Sequence, residues 1–301
     1  MSHIHRFSRS LGLLLALCLL TAVLTPPVFA APREGLLVVA FGTSVPEAMP
    51  AFRALDTAFR AEFPGMPLEW AYTSQRIRKK LARQGKPVGG ISDGLAALAR
   101  KGVNIVRVQS LHVMAGEEFS ALERAVLLDI KAHPGRFQAV YLGRPLLESR
   151  RDAEDVAAAV LGGMAARREG GDGLVLMGHG QEHGRADLVL EGMRATLADA
   201  DPLTVIASVE GSRDLDDLVH DLRARQLKTV WLQPFMVVAG DHARNDLAGP
   251  EADSWASRLR REGFEVRANL VGLGEIPGVR AVFVRHAREA HDDLCKEPVK
   301  Q

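Results

Sequence analysis

Cysteine is almost missing from this chain: there are two, Cys18 and Cys295, and Cys18 lies inside an apolar leader. If that leader is removed, one thiol remains and no intramolecular disulfide can form, so stability must come from core burial. An excess of either charge is missing too, with 38 Lys and Arg against 37 Asp and Glu. That balance excludes nucleic acid and anionic membrane as non-specific partners. Tryptophan is sparse, and Trp70, Trp231 and Trp255 read as core or interface residues rather than stacking platforms. No Cys-x-x-Cys-His haem attachment, P-loop or Gly-x-Gly-x-x-Gly stretch occurs, so no organic cofactor is predicted. Gly90-Ile-Ser-Asp-Gly94 fits a nucleophile-elbow pattern, but the turn Gly85 to Gly89 precedes it where a strand is required. Ser92 is therefore read as a helix start.

One long hydrophobic run is present. Leu11 to Leu24 is nearly unbroken, follows His5, Arg6 and Arg9, and ends at Pro26-Pro27 before Val28-Phe29-Ala30. This is the pattern of a Sec-type signal peptide, too short and wrongly flanked for a stable anchor. The expectation is cleavage near Ala30, a periplasmic mature protein and no membrane association afterwards. Residues 31–301 would carry a net charge of −1, with enough length for one large domain or two.

Strand and helix signals alternate through the remainder. Leu36 to Phe41 is a continuous apolar run, as expected of a strand covered on both faces of a parallel sheet. Further strands are predicted over 67–72, 104–109, 137–142, 174–177, 203–209, 228–235 and 264–271. Helices are predicted at 46–60, 75–83, 91–101, 117–131, 152–168, 186–198, 215–225, 254–261 and 278–293. Glu169-Gly-Gly-Asp-Gly173 is the best linker. The predicted fold class is α/β, with an N-terminal domain over 31–168 and a C-terminal domain over 174–301 that ends in a closing helix.

The two halves resemble each other. Gln109 to Glu118 lies over Gln233 to His242 with four of ten positions identical. The first half is longer: Phe41 to Glu118 spans 77 residues, His179 to His242 only 63. Extra chain near Gly85 to Gly94 would account for that. At the chemically important end the copies differ, with Glu118 in one and His242 in the other.

Ligands of open parallel sheets collect at the carboxyl ends of the strands. Three such ends in the second half carry His179, Glu210 and His242, separated by 31 and 32 residues, about one βα unit each. Two imidazoles and a carboxylate there suit a borderline divalent ion such as Co²⁺, Fe²⁺, Ni²⁺ or Zn²⁺. A Gly-His-Gly turn also suits an acid/base or phosphate-binding histidine, and residue types alone leave both readings open. His112 lies near another strand end and reads either as a cleft residue or as a buried, hydrogen-bonded one. His133, His183, His220, His286 and His291 fall on predicted loops or helix faces and read as solvated.

Several stretches taken together carry a resemblance: Val39-Ala-Phe-Gly-Thr-Ser44, Ala71-Tyr-Thr-Ser74 with Ile77 to Leu81, Gln109-Ser-Leu-His-Val113 with Gly116-Glu-Glu118, Met177-Gly-His-Gly180, Val209-Glu-Gly211, and Val238-Ala-Gly-Asp-His-Ala-Arg-Asn-Asp246. The chain resembles the anaerobic sirohydrochlorin cobaltochelatases, class II tetrapyrrole chelatases related in fold to ferrochelatase. The resemblance implies two Rossmann-like domains facing across a cleft that admits the macrocycle. It implies that His179 and His242 bind the metal with Glu210, and that Glu118 stands on the opposite wall as a proton acceptor.

The resemblance implies insertion of Co²⁺ into a sirohydrochlorin-type ring, with Fe²⁺ insertion and a non-catalytic periplasmic metal or tetrapyrrole carrier as alternatives. Metallation expels two pyrrole N–H protons, which an imidazole or carboxylate can accept. The ion must be surrendered, so an incomplete, mixed-ligand shell suits it better than a closed structural site. The substrate bears eight carboxylates. Ser44 at a strand end and Arg76 at a helix start, together with His112, are the expected substrate contacts, and Arg78-Lys79-Lys80 reads mainly as a solvated helix face. A homo-oligomer is compatible with the sequence.

Overall fold

Leu36, Leu37, Val38 and Val39 are all fully buried, which requires packing on both faces of their strand. The alternation of side chains divides them. Leu36, Val38 and Ala40 enter one core, Leu37 and Val39 another. This strand, β1 (Glu34–Ala40), lies centrally in a four-stranded parallel sheet with β2 (Leu68–Tyr72), β3 (Ile105–Ser110) and β4 (Ala139–Gly143), in the order β2-β1-β3-β4. The second half repeats the pattern. Strands β5 (Gly173–Gly178), β6 (Thr204–Ser208), β7 (Thr229–Pro234) and β8 (Glu265–Ala268) form a parallel sheet ordered β6-β5-β7-β8. The computed structural model describes residues 31–181, 186–211 and 213–296. The predicted leader and His183 lie outside the described residues. Among the described residues, no helix is long and apolar enough to cross a membrane.

Nine α-helices of the described chain connect and cover the strands: α1 (Met49–Glu62), α2 (Gln75–Arg83), α3 (Ile91–Arg100), α4 (Glu117–Ala132), α5 (Arg150–Met164), α6 (Ala186–Ala200), α7 (Leu215–Ala224), α8 (Trp255–Arg261) and α9 (Pro277–Glu289). Phe59 of α1, Val160 of α5, Leu197 of α6 and Phe283 of α9 pack between the two sheets, against Leu36 of β1 and Leu174 of β5. Helices α3 and α4 cover the outer face of the first sheet, and α7 and α8 that of the second. The α/β architecture with two pseudo-duplicated parallel sheets is as the sequence predicts.

The duplicated glutamines occupy matching places. Gln109 pairs in register with Gly143, and its Nε2 donates to the carbonyl of Arg144 at 3.0 Å. Gln233 lies one residue beyond the Leu232–Ala268 pair, and its Oε1 accepts from Asn269 Nδ2 at 2.8 Å. Both are buried, so each amide is held by its neighbouring strand end.

Two local expectations change and one holds. The extra length of the first half is α2 with its return loop. Chain from β2 passes through α2 and α3 before β3, whereas β6 reaches β7 through α7 alone. Gly90 caps α3, with its N–H donating to Asp93 Oδ2 at 2.8 Å, so Ser92 is indeed in a helix start. The closing helix stops at Glu289 rather than Asp293. The chain then turns back to the first sheet, where Asp293 bridges Tyr141 and the Leu294 N–H donates to the Val140 carbonyl at 2.9 Å.

His286 is buried rather than solvated. Its Nε2 lies 3.0 Å from Asp152 Oδ1 and its Nδ1 3.3 Å from the Arg144 carbonyl. Arg285 also donates to Asp152 and to Asp155, tying α9 to α5. Helical spacing alone could not reveal this, because two polar residues on α9 are buried only by the charge that meets them from α5. Burial alone would raise the Asp152 pKa. Hydrogen bonds from Ser149, Arg285 and His286 overcome it and hold the carboxyl below its ordinary value. Its folded pKa is depressed, so its contribution to stability is complete above the unfolded-state value of about 3.9 and is lost as pH falls through the folded value. Asp152→Asn is expected to lower the unfolding free energy at pH 7 by about 3 kcal/mol, since Arg285 loses a buried partner. Urea titrations should show the difference from wild type narrowing below about pH 4.

Candidate metal-handling active site

The carboxyl ends of β5, β6 and β7 lie together because the three strands are parallel neighbours. His179 follows β5 directly. The next residue, Gly180, has φ +75°, and a Cβ there would come within 2.6 Å of Ser208 Cβ. Only glycine fits this turn, and it leaves the His179 ring half exposed at the strand end. Beyond β6 the chain bends through Val209 and Glu210, with the Glu210 N–H donating to the His179 carbonyl at 2.8 Å. The backbones carrying His179 and Glu210 are therefore tied, and Glu210 Oε2 stands 3.8 Å from His179 Nδ1.

His242 arrives from β7 by a different route. The chain loops through 235–241 and enters a short π-helix, Ala243–Leu247, for which His242 is the cap residue. Its ring centroid lies 5.1 Å from that of His179, the two planes at 90°. This separation is informative. With metal–nitrogen bonds of about 2.0–2.1 Å, two imidazoles sharing one ion at a tetrahedral angle have centroids about 5 Å apart.

Hydrogen bonding sets both tautomers the same way. His242 Nδ1 lies 2.6 Å from Asp246 Oδ2, and a carboxylate can only accept, so the proton is on Nδ1. His179 Nδ1 lies 3.2 Å from the Gly180 carbonyl, which also only accepts. In each ring Nε2 keeps its lone pair for an ion, and a partner on the other nitrogen fixes the ring. Among the described residues no three His, Cys, Asp or Glu side chains stand close enough together to hold a metal ion, so the observed arrangement is the two imidazoles with Glu210 beside them. Two fixed imidazoles beside an exposed carboxylate make an open site, from which an ion can leave.

The candidate residues of the first half lie on its own strand ends and helix starts. Glu118 lies in the first turn of α4, exposed, and accepts from Thr73 Oγ1 at 3.2 Å. It makes no hydrogen bond or ion pair with either histidine. Thr43, after β1, approaches the second half, where a Cβ on Gly240 would be 3.7 Å from its Oγ1. The halves thus meet within two residues of His242. Ser44 is half-buried beside it, and Arg76 is exposed in the first turn of α2. His112 is partly buried and sits on Ser110: its N–H donates to Ser110 Oγ at 3.1 Å, and that hydroxyl faces Nδ1 at 2.9 Å. Burial pushes its pKa down to about 4, so the ring is neutral near pH 7. Its Nε2 is buried without a partner, which makes it a group awaiting one.

Sequence reasoning missed two residues here. Asp246, which orients His242, is signalled by its place four residues on, one helical turn away. Phe41 reads as the last buried residue of β1, yet it is 47% exposed. Gly42, at φ +103° and with no room for a Cβ against Tyr72, turns the chain there. The strand end therefore carries a bare aromatic ring.

The parallel strand ends thus carry two imidazoles with free Nε2 atoms and an exposed carboxylate, a donor set suited to a divalent ion. The sequence model for the cobalt chelatase (CbiK) family matches residues 34–292, and the chain belongs to that family. It is 34% identical over 260 residues to sirohydrochlorin cobaltochelatase CbiKC of Nitratidesulfovibrio vulgaris, covering 86% of this chain and 90% of that one. It is 36% identical over 269 residues to a sirohydrochlorin cobaltochelatase of Salmonella typhimurium, covering 88% of this chain and 99% of that one. Among solved structures, SirB from Bacillus subtilis with Fe³⁺ superposes with a TM-score of 0.59 at 15% identity, over 85% of this chain and 95% of that one, a likeness of fold.

Removing the partner of a metal-binding imidazole lowers metal affinity by about 10–100-fold. Asp246→Asn is expected to raise the Kd for Co²⁺ by that amount, read from the visible absorption of the bound ion, with the circular dichroism spectrum unchanged.

Proposed function

We propose that this chain is a sirohydrochlorin cobaltochelatase. It inserts Co²⁺ into the ring, and two pyrrole N–H protons leave as two metal–nitrogen bonds replace them. The pairing of His179 and His242, with centroids 5.1 Å apart and both Nε2 atoms free, carries this reading. The two curated relatives, named as cobaltochelatases over most of their length, support Co²⁺ as the metal substrate.

In this reading His179 and His242 hold the incoming ion and Glu210 completes its shell. The ion passes to the ring as the pyrrole protons depart. Glu118, on the facing wall, accepts a proton from the ring, as a carboxylate within reach of solvent can do. The exposed ring of Phe41 offers a flat apolar face to the macrocycle, where aromatic stacking favours a conjugated plane. Ser44, Arg76 and the unpartnered Nε2 of His112 serve as substrate contacts. The leader pattern supports export, and the mature protein recovered from the periplasm should begin at Ala31 by N-terminal sequencing.

The decisive measurement mixes the mature protein with sirohydrochlorin and Co²⁺ and follows the absorption spectrum. Turnover beyond one equivalent is expected. His179→Ala and His242→Ala should each lower kcat/KM by about 10²–10⁴-fold, the usual loss on removal of a catalytic ligand or base. Stoichiometric binding without turnover would instead identify a carrier.

A further inference from the structure

Helix α2 has no counterpart in the second half of the molecule, so the sheet topology does not require it. Its sequence is Gln-Arg-Ile-Arg-Lys-Lys-Leu-Ala-Arg, with no acidic residue. Ile77 and Leu81, four apart, face the central core. Arg76, Lys79, Lys80 and Arg83, spaced i, i+3, i+4 and i+7, share the opposite face and surround an open pocket of about 420 Å³. All four are exposed, and none forms an ion pair among the described residues. Single unpaired cations such as Arg53, Arg100 and Arg124 occur elsewhere among the described residues, and Arg60, Lys101 and Arg107 each have a carboxylate, but here four unpaired cations share one helix face. Like charges three and four apart on a helix destabilise it. An unmatched strip on an added helix is thus a feature with a cost in the free protein, relieved when an anion arrives.

The strip begins beside Phe41 and Glu118. The N–H of Ser74, the cap residue of α2, donates to the carbonyl of Phe41, and the preceding Thr73 hydroxyl reaches Glu118. From Arg76 the strip runs outward for about 10 Å, at 1.5 Å per residue. The anion that must enter this cleft, on the reading above, carries eight carboxylates around a flat ring.

We propose that the basic face of α2 is a capture surface for the peripheral carboxylates of the tetrapyrrole, drawing the polyanion to the cleft mouth and setting which edge enters first. This rests on the chelatase reading and extends it from the metal side of the reaction to the selection of the organic substrate. Rings with more carboxylates are favoured over rings with fewer. The same positive field disfavours free Co²⁺ at this edge, so ion and ring approach from different sides.

The test uses the full mature chain with Lys79→Gln, Lys80→Gln and Arg83→Gln combined, glutamine being a good helix former. Binding of metal-free sirohydrochlorin is titrated by absorbance. At about 20 mM salt, where screening is weak, the Kd is expected to rise about five- to tenfold; at about 300 mM the gap should close to within about twofold. A porphyrin with two propionates should show little change in Kd. Lys79→Arg with Lys80→Arg should bind as wild type. A wild-type protein that turns over sirohydrochlorin while the triple variant keeps its Kd at low salt would overturn the capture surface and leave the chelatase reading intact. Equal losses for the dicarboxylate ring would do the same. Loss of binding to phosphatidylglycerol vesicles with an unchanged sirohydrochlorin Kd would reassign the strip to a membrane surface. A wild type that neither binds nor metallates the ring would remove both readings together.

Discussion

Helices α1, α5, α6 and α9 fill the space between two parallel sheets, and Phe59, Val160, Leu197 and Phe283 there touch one continuous core. Neither sheet can shift far without opening that layer, and burying a large apolar side chain is worth about 1.5–3 kcal/mol. The cleft inherits its geometry from this shared layer. Parallel strands place their carboxyl ends on one edge, and the common helices hold the two edges in register. Thr43 and Gly240 meet there, with His242 two residues away.

The similarity of the halves explains how one architecture provides two chemically different walls. Gln109 and Gln233 each tie an equivalent strand end to its neighbour, the first by donating to the Arg144 carbonyl and the second by accepting from Asn269. Eight residues beyond each strand's end, one half presents Glu118 and the other His242. A carboxylate that stays wet can take protons. An imidazole whose other nitrogen is committed to Asp246 can hold a cation. The repeated fold fixes equivalent positions, and substitution at the tips makes them chemically different.

Much of this was legible in the residues. Continuous apolar runs identified strands covered on both faces, and glycines beside His179 and Glu210 marked where strands ended. The His179–His242 juxtaposition followed from strand adjacency, because βα units of about 31 residues bring successive strand ends together. What could not be read depended on contacts across the chain. His286 looks like a solvated helix residue until Asp152 meets it from another helix. Phe41 looks buried until the turn at Gly42 removes its neighbours. The added helix α2 was visible as a helix, but only the observed packing shows that its cations have no carboxylates to meet.

With the metal role proposed for His179, Glu210 and His242, their half-exposed state has a consequence for metal choice. An open set of two imidazoles and a carboxylate follows the general order of divalent affinities, in which Ni²⁺ and Cu²⁺ bind more tightly than Co²⁺. Such a site is a poor thermodynamic filter. Discrimination then falls on release: an ion held too tightly stalls on the protein, and one that exchanges quickly goes on to the ring. The openness that lets the ion leave makes selectivity a matter of rates and supply.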